Sequence, residues 1–166
     1  MTVYTTMDSP LGELLLVGEE SDTAKGGTAL VSLSVPGQKR GAVVQDGWLA
    51  SPEAFAEILA QLRAYFDGTL SRFDIEYITA GTDFQRRVWT ALDAIPYGTT
   101  LTYGEIAQHI GAPRAAVRAV GTAIGANPLL VVRPCHRVIA AGGALSGYAA
   151  GPERKQQLLD LERRAA

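Results

Sequence analysis

The stretch TDFQRRVWTALDAIPYGTTLTYGEIA, residues 82–107, contains two helix starts of the same kind and predicts a helical second half of the chain. In TDFQ and in TYGE a threonine is followed three residues later by Gln85 or Glu105, which is the capping-box pattern. The first start opens a helix with an apolar stripe between Phe84 and Ile95. The second opens a short helix that we expect to end near Ile110.

A third helix is expected from Arg114 to about Ile124, after a stop signal at Gly111 and Pro113. Two short helices across a turn that contains glycine favour a helix-turn-helix, although ordinary packed helix pairs have the same pattern. The surrounding segment, residues 106–152, has no Asp or Glu. Its four arginines make it locally basic, which is typical either of a nucleic-acid contact or of a solvated face.

The first half of the chain predicts strands followed by a helix. The run YTTMDSPLGELLLVGEE has a turn signal at Ser9-Pro10 between β-prone segments, and we expect an antiparallel sheet. A helix capped by Ser51 should pack on it, and FDIEYI at 73–78 should add a strand. The change to a helical pattern then places a boundary between two small domains, residues 1–80 and 81–166.

Composition excludes several classes of protein. The chain has 166 residues, 47% of them hydrophobic, so it can bury a core. One cysteine excludes an internal disulfide framework, and the lack of a cationic segment with an apolar stretch at the start argues against secretion and membrane insertion. We therefore expect a cytoplasmic protein. One cysteine and two histidines are too few for a closed zinc site, so we expect no metal.

The single cysteine lies in VVRPCHRVIA, residues 131–140, between cationic neighbours. A lone cysteine is most often an inert buried residue, but positive neighbours favour the thiolate and make Cys135 a candidate nucleophile. His136 is adjacent, so it would act as a base through a bridging water. Its orienting carboxylate must come from outside the acid-free segment, with Glu153, Asp160 and Glu162 as candidates.

The motifs PCHRV, TDFQRRVWTALDAIPYGTTLTYGEIA and RAVGTAIGANP together resemble the O6-alkylguanine-DNA alkyltransferases. The resemblance covers residues 82–162, whereas the first 80 residues match only in their pattern of strands and helix. It implies an α+β fold of two small domains. The N-terminal one is a ribonuclease H-like α/β domain with an antiparallel sheet, and the C-terminal one is a mostly helical winged helix-turn-helix domain that carries the active-site cysteine.

The resemblance also implies a reaction. Cys135 is the alkyl acceptor, which takes the alkyl group from guanine O6 irreversibly, once per molecule and without a cofactor. His136 is the water-mediated base, and Glu162 is the carboxylate that orients it. Asn127 braces the turn before the cysteine, and Tyr103 donates a proton or hydrogen bond to guanine N3.

The implied partner is duplex DNA containing O6-alkylguanine, with the damaged base flipped into a pocket. Arg118 is the finger that fills the gap in the stack, from a helix that enters a widened minor groove. The implied DNA contacts are Arg118, Arg114, Ala115, Ala116 and Tyr103, and the implied pocket residues are Val138, through its carbonyl, Tyr148 and Ala149. We expect a monomer in solution, with clustering on DNA left open.

The sequence departs from the family pattern in three places. The turn before Arg118 is one residue longer, Ala149 and Ala150 stand where a Ser or Gly and a Gly are common, and Arg133 replaces an apolar residue. Two alternatives follow from other classes of protein. A non-catalytic sensor of alkylated DNA would share the scaffold, and a cysteine hydrolase would show turnover.

Overall fold

The computed structural model describes residues 1–166, which form two compact units, Met1–Thr79 and Ala80–Ala166. The predicted domain border between residues 80 and 81 lies one residue away from this division. No helix of the chain has the length and apolar character that crossing a membrane requires.

The first unit is built on a four-stranded sheet in the order β3-β2-β1-β4. Its strands are β1 (Thr2–Ser9), β2 (Gly12–Glu20), β3 (Thr28–Ser34) and β4 (Leu49–Ala50). Strands β1 and β2 form a hairpin across the predicted turn at Ser9-Pro10. The prediction of an antiparallel sheet holds for β1 to β3, whereas the short β4 pairs parallel with β1.

The helix of this unit starts in a 3₁₀ turn, Pro52–Phe55, and continues as α1 (Ala56–Phe66). Its apolar stripe is buried as expected, with Phe55 and Leu62 fully inaccessible. The prediction that Ser51 caps the helix is wrong for its side chain, which makes no capping bond and instead meets the Glu53 carboxylate at 3.3 Å.

The predicted strand over residues 73–78 is wrong. Only one bridge forms there, between Leu30 and Tyr77. The physical reason is the Gln61 side chain, which accepts from the Asp74 amide at 2.8 Å and donates to the Asp74 carbonyl at 2.9 Å. These backbone groups are therefore satisfied by a side chain of α1 and do not extend a ladder.

The second unit is mostly helical. Its elements are α2 (Asp83–Asp93), β5 (Leu101–Thr102), α3 (Tyr103–His109), α4 (Val117–Gly125), β6 (Val138–Ile139) and α5 (Pro152–Ala165). Both capping boxes are confirmed, with the side chains of Thr82 and Thr102 accepting from the third helical amide at 3.1 Å each. Helices α3 and α4 form the predicted helix-turn-helix pair, and β5 pairs parallel with β6.

Helix α4 begins three residues later than predicted. Residues Arg114–Ala116 form a 3₁₀ turn, in which the Ala116 amide donates to the Pro113 carbonyl at 2.8 Å. The side of α4 that faces the core carries Val120 and Ile124, which are buried with Trp89 of α2. The indole of Trp89 donates to the Ala123 carbonyl at 2.9 Å, so this tryptophan is a packing residue.

Candidate active site

Cys135 opens a 3₁₀ turn, Cys135–Arg137, that leads into β6, and its side chain is buried. The preceding turn is held by Asn127, whose Oδ1 accepts from the Leu129 amide at 3.0 Å and whose Nδ2 lies 3.3 Å from the carbonyls of Leu129 and Arg133. The same Nδ2 lies 3.2 Å from the sulfur of Cys135. The asparagine thus bonds both to the backbone of the turn and directly to the thiol.

His136 is completely buried, and its Nε2 lies 2.7 Å from Oε2 of Glu162. A carboxylate can only accept, so Nε2 carries the proton and Nδ1 has the free lone pair of a base. No protein atom bonds to this buried Nδ1. Burial lowers the pKa of His136, so the ring is neutral at pH 7, the state that a base requires.

The carboxylate of Glu162 is itself held by Arg137, whose Nε and Nη2 lie 2.7 and 3.0 Å from its two oxygens. Of the three carboxylates that the sequence left open, Glu162 is the one beside His136. Glu153 is exposed, and Asp160 bonds to Gln156 at 2.8 Å. No group of three His, Cys, Asp or Glu side chains in the 166 residues is arranged to hold a metal ion.

The expectation that cationic neighbours make Cys135 a thiolate is wrong, although one of these neighbours, Arg133, does lower its pKa. Burial raises the pKa of Cys135 to about 11, although Asn127, Lys155 and Arg133 each lower it. Desolvation of the buried sulfur outweighs these effects, and two of the expected cations do not act on the sulfur. Arg137 pairs with Glu162, and His136 is neutral. The resting sulfur is therefore a thiol, and attack requires a base.

Lys155 of α5 is a site residue that the sequence analysis missed. It is 1% exposed, and its Nζ lies 2.5 Å from the Val138 carbonyl and 3.5 Å from the Ser146 carbonyl. Burial lowers the pKa of this amine, while Cys135 raises it. The spacing offered a signal, since Lys155, Leu158, Leu159 and Glu162 follow the i, i+3, i+4, i+7 pattern of one helix face, and all four are buried.

Tyr103, at the first position of α3, is half-buried, and its hydroxyl donates to the Ser146 carbonyl at 3.0 Å. Burial, followed by the charge of Cys135, raises its pKa, so it keeps its proton as a donor. The contact needs glycine at 147, where φ is +84° and a Cβ would come within 2.7 Å of the hydroxyl. The phenol therefore sits against the loop that follows β6.

The pocket residues that the resemblance implies, Val138, Tyr148 and Ala149, lie in β6 and in the loop that follows it. The Tyr148 ring is 8% exposed, with its centroid 6.5 Å from that of His136, and its hydroxyl bonds to no protein atom. Ala149 is half-buried and Ala150 is buried, so the methyl group of Ala150 takes up interior volume. The Val138 carbonyl already accepts from Lys155, and a carbonyl retains a second lone pair for another donor.

The residues implied to contact DNA lie on the surface of the helix-turn-helix. Arg114, Ala115 and Arg118 are exposed and Ala116 is half-buried. Neither arginine forms an ion pair with a carboxylate of the chain. The surface around the start of α4 therefore presents cationic side chains beside small ones, a combination suited to close approach to phosphates.

Two family models match the chain. Residues 2–78 match the 6-O-methylguanine DNA methyltransferase, ribonuclease-like domain, and residues 83–164 match the 6-O-methylguanine DNA methyltransferase, DNA binding domain. The two matches follow the division into two units.

Curated relatives and solved structures agree with these models. The chain is 52% identical over 164 residues to the methylated-DNA--protein-cysteine methyltransferase of Mycolicibacterium paratuberculosis, covering 99% of this chain and 94% of that protein. The identity to the protein of the same name from Methanosarcina acetivorans is 47%, covering 96% of this chain and 97% of that protein.

Among solved structures, the crystal structure of Mycobacterium tuberculosis OGT in complex with DNA superposes with a TM-score of 0.87 at 48% identity. The match covers 99% of this chain and 94% of that one. Two family models match residues 2–78 and 83–164, and a relative that covers 99% of the chain is 52% identical to it. Together with the site around Cys135, these matches show that the chain belongs to the 6-O-methylguanine DNA methyltransferase family.

Proposed function

We propose that this protein repairs O6-alkylguanine in duplex DNA by moving the alkyl group to its own Cys135. The observation that carries the proposal is a buried thiol bonded to Asn127, next to a neutral histidine fixed by Glu162, in the unit that contains the helix-turn-helix. The relatives that cover nearly the whole chain bear the name of this activity.

The chemistry is a displacement at the alkyl carbon. The thiol proton passes through water to Nδ1 of His136, the sulfur forms a bond to carbon, and the bond between carbon and guanine O6 breaks. Tyr103 transfers its hydrogen bond from the Ser146 carbonyl to guanine N3 and stabilises the departing purine. The proton that His136 took up returns through water to the departing purine, so the ring becomes neutral again and the products are a thioether and an unmodified base.

The reaction requires the guanine to leave the stack, because the sulfur is buried. The exposed Arg118 at the start of α4 fills the space that the base vacates, while Arg114, Ala115 and Ala116 approach the backbone of the strand. Val138, Tyr148 and Ala149 line the pocket that receives the base. We further propose a cytoplasmic location, since the acceptor thiol must stay reduced.

The test is the intact mass of the protein after mixing with duplex DNA that contains O6-methylguanine. We expect a single added methylene per molecule, mapped to Cys135 by peptide fragmentation, and none in Cys135→Ser. Tight binding without mass change would indicate a non-catalytic sensor, and product formation beyond one equivalent would indicate a hydrolase; either result contradicts the proposal.

A second variant separates base flipping from transfer. Arg118→Ala should slow methyl transfer from duplex DNA by roughly tenfold or more, because unstacking costs a few kcal/mol. Transfer from the free base O6-benzylguanine should stay unchanged. Arg63→Ala, at an exposed arginine of α1, is the matched control. Equal losses on both substrates would show that Arg118 does not act in flipping.

A further inference from the structure

Arg133 is a buried cation two residues before the acceptor cysteine. Its side chain is 3% exposed, and the centre of its guanidinium lies 5.0 Å from the centroid of the Trp89 ring. Its Nε lies 3.4 Å from Oδ1 of Asp93, at the end of α2. In the sequence, Arg133 stands where the family pattern has an apolar residue, and the structure shows that its guanidinium lies beside a carboxylate.

Burial of the Arg133 guanidinium costs desolvation free energy, and its ion pair with Asp93 offsets only part of that cost. The Asp93 side chain is 39% exposed, so solvent screens the pair, and an apolar residue of similar volume is often as stable at such a position. Stability alone therefore does not account for an arginine in this turn.

A second contact connects Arg133 to the reacting sulfur. Its Nη1 lies 3.4 Å from Oδ1 of Asn127, and Nδ2 of the same amide lies 3.2 Å from the sulfur of Cys135. Donors at Oδ1 keep the amide turned so that its N–H group faces the sulfur. They also polarise the amide, so Nδ2 becomes a stronger donor to a negative sulfur.

We propose that Arg133 is a positioning residue for alkyl transfer, which acts through Asn127 and through its own charge to stabilise the negative sulfur of Cys135 during attack. The inference rests on the proposed function. Asp93 acts in the opposite direction, since its negative charge offsets the charge of Arg133 at the sulfur.

The other groups near the sulfur do not replace this effect. Lys155 of α5 lowers the thiol pKa more than Arg133 does, but its Nζ bonds to the Val138 and Ser146 carbonyls and not to Asn127. His136 is neutral, and burial, followed by the charge of Cys135, raises the pKa values of Tyr103 of α3 and Tyr148 of the loop after β6, so both phenols stay uncharged. Arg133 is thus the cation that reaches the sulfur through a hydrogen-bonded side chain.

The test uses the full chain with Arg133→Met, Arg133→Lys and Asp93→Asn. Two controls make the same charge changes at exposed positions of α2, Arg86→Met and Asp83→Asn. One readout is the titration of the thiol, followed by the carbon-13 signal of the cysteine β-carbon, which is a single signal because the chain has one cysteine. The other is the single-turnover rate of methyl transfer at saturating duplex DNA.

We expect Arg133→Met to move the thiol titration to higher pH and to slow transfer roughly tenfold at neutral pH. Arg133→Lys should restore most of the rate. Asp93→Asn should move the titration to lower pH and should not slow transfer, because it removes the charge that opposes Arg133. The two control variants should behave like the unmodified protein.

The opposite pattern overturns the inference. If Arg133→Met and Asp93→Asn both slow transfer and leave the thiol titration unchanged, the ion pair is only a support for the turn. If Arg133→Met does not fold, an unchanged titration in Asp93→Asn is sufficient to reject the inference. The thiol titration does not require methyl transfer, so it tests the inference separately from the proposed function. Absence of methyl transfer in the unmodified protein would contradict the proposed function instead.

Discussion

The reactivity of Cys135 does not follow from adjacency in the chain alone. Asn127, Lys155 and the nearby Arg133 lower the thiol pKa, whereas its direct neighbour His136 and the next residue, Arg137, bond to Glu162. Burial is the larger effect and keeps the sulfur protonated. A buried neutral thiol resists oxidation and unwanted alkylation, which suits a group that can react only once.

The histidine sets the pH dependence of transfer. Burial lowers the pKa of His136 below its usual value of 6.5, so the ring is neutral above that pH and loses its function as a base only when it is protonated. We expect the single-turnover rate at saturating duplex DNA to be flat near neutral pH and to fall on acidification below pH 6.5. A loss of rate with its midpoint above pH 6.5 would show that the pKa of the buried ring is not lowered and would contradict this prediction.

Lys155→Met tests the buried amine. Removing its charge leaves the thiol with less electrostatic support, so we expect transfer to slow roughly tenfold at neutral pH. The free energy of unfolding should change by less than the free energy that corresponds to the tenfold change in rate. The variant loses the bond to the Val138 carbonyl, but it also avoids the desolvation cost of a buried ammonium.

Denaturant unfolding and single-turnover kinetics measure these two effects of Lys155→Met. Lys39→Met, at an exposed position, is the control for the charge change. A variant that reacts at the unmodified rate would show that the amine has no influence on the sulfur.

At the scale of elements, helix starts determine where site residues lie. Tyr103 is the first residue of α3, directly after the cap at Thr102. The hydroxyl of Tyr103 meets the Ser146 carbonyl, so the position of the phenol depends on how firmly the first turn of α3 is held. The equivalent cap at Thr82 starts α2, which carries no proposed catalytic group.

These two caps form a matched pair for mutation. Thr102→Ala and Thr82→Ala should each reduce the free energy of unfolding by about 1 kcal/mol, because each removes a capping bond from one helix. Only Thr102→Ala should also slow methyl transfer from duplex DNA at saturating concentration. Equal rates in the two variants, measured beside their unfolding curves, would show that the α3 cap does not position Tyr103.

At the scale of the whole molecule, the proposed transfer to Cys135 would change the core of the second unit permanently. The side chain of Cys135 is 3% exposed, and the fold has to accommodate the methyl group it receives. Protein interiors are close-packed, and an added methyl group forces neighbouring side chains and backbone to shift.

We therefore expect the methylated protein to be about 1–3 kcal/mol less stable than the unmodified one. The measurement compares denaturant unfolding before and after reaction with one equivalent of duplex DNA containing O6-methylguanine, with Cys135→Ser carried through the same treatment. Unchanged or increased stability after methylation would mean that the pocket beside the sulfur is large enough for the product.

Local sequence determined much of this protein. The capping boxes at Thr82 and Thr102 and the hairpin at Ser9-Pro10 follow from patterns within a few residues, because hydrogen bonds between near neighbours decide them. The motif PCHRV likewise predicts the acceptor and its base without any structure.

Only the tertiary structure decided the protonation state of the Cys135 thiol and the lack of a strand over residues 73–78. Gln61 satisfies the Asp74 backbone from α1, and Lys155 reaches the surroundings of Cys135 from α5. Burial and long-range charge determine a pKa, and neither can be read from sequence adjacency. For that reason the cations on either side of the cysteine predicted a thiolate, whereas the folded protein holds a thiol.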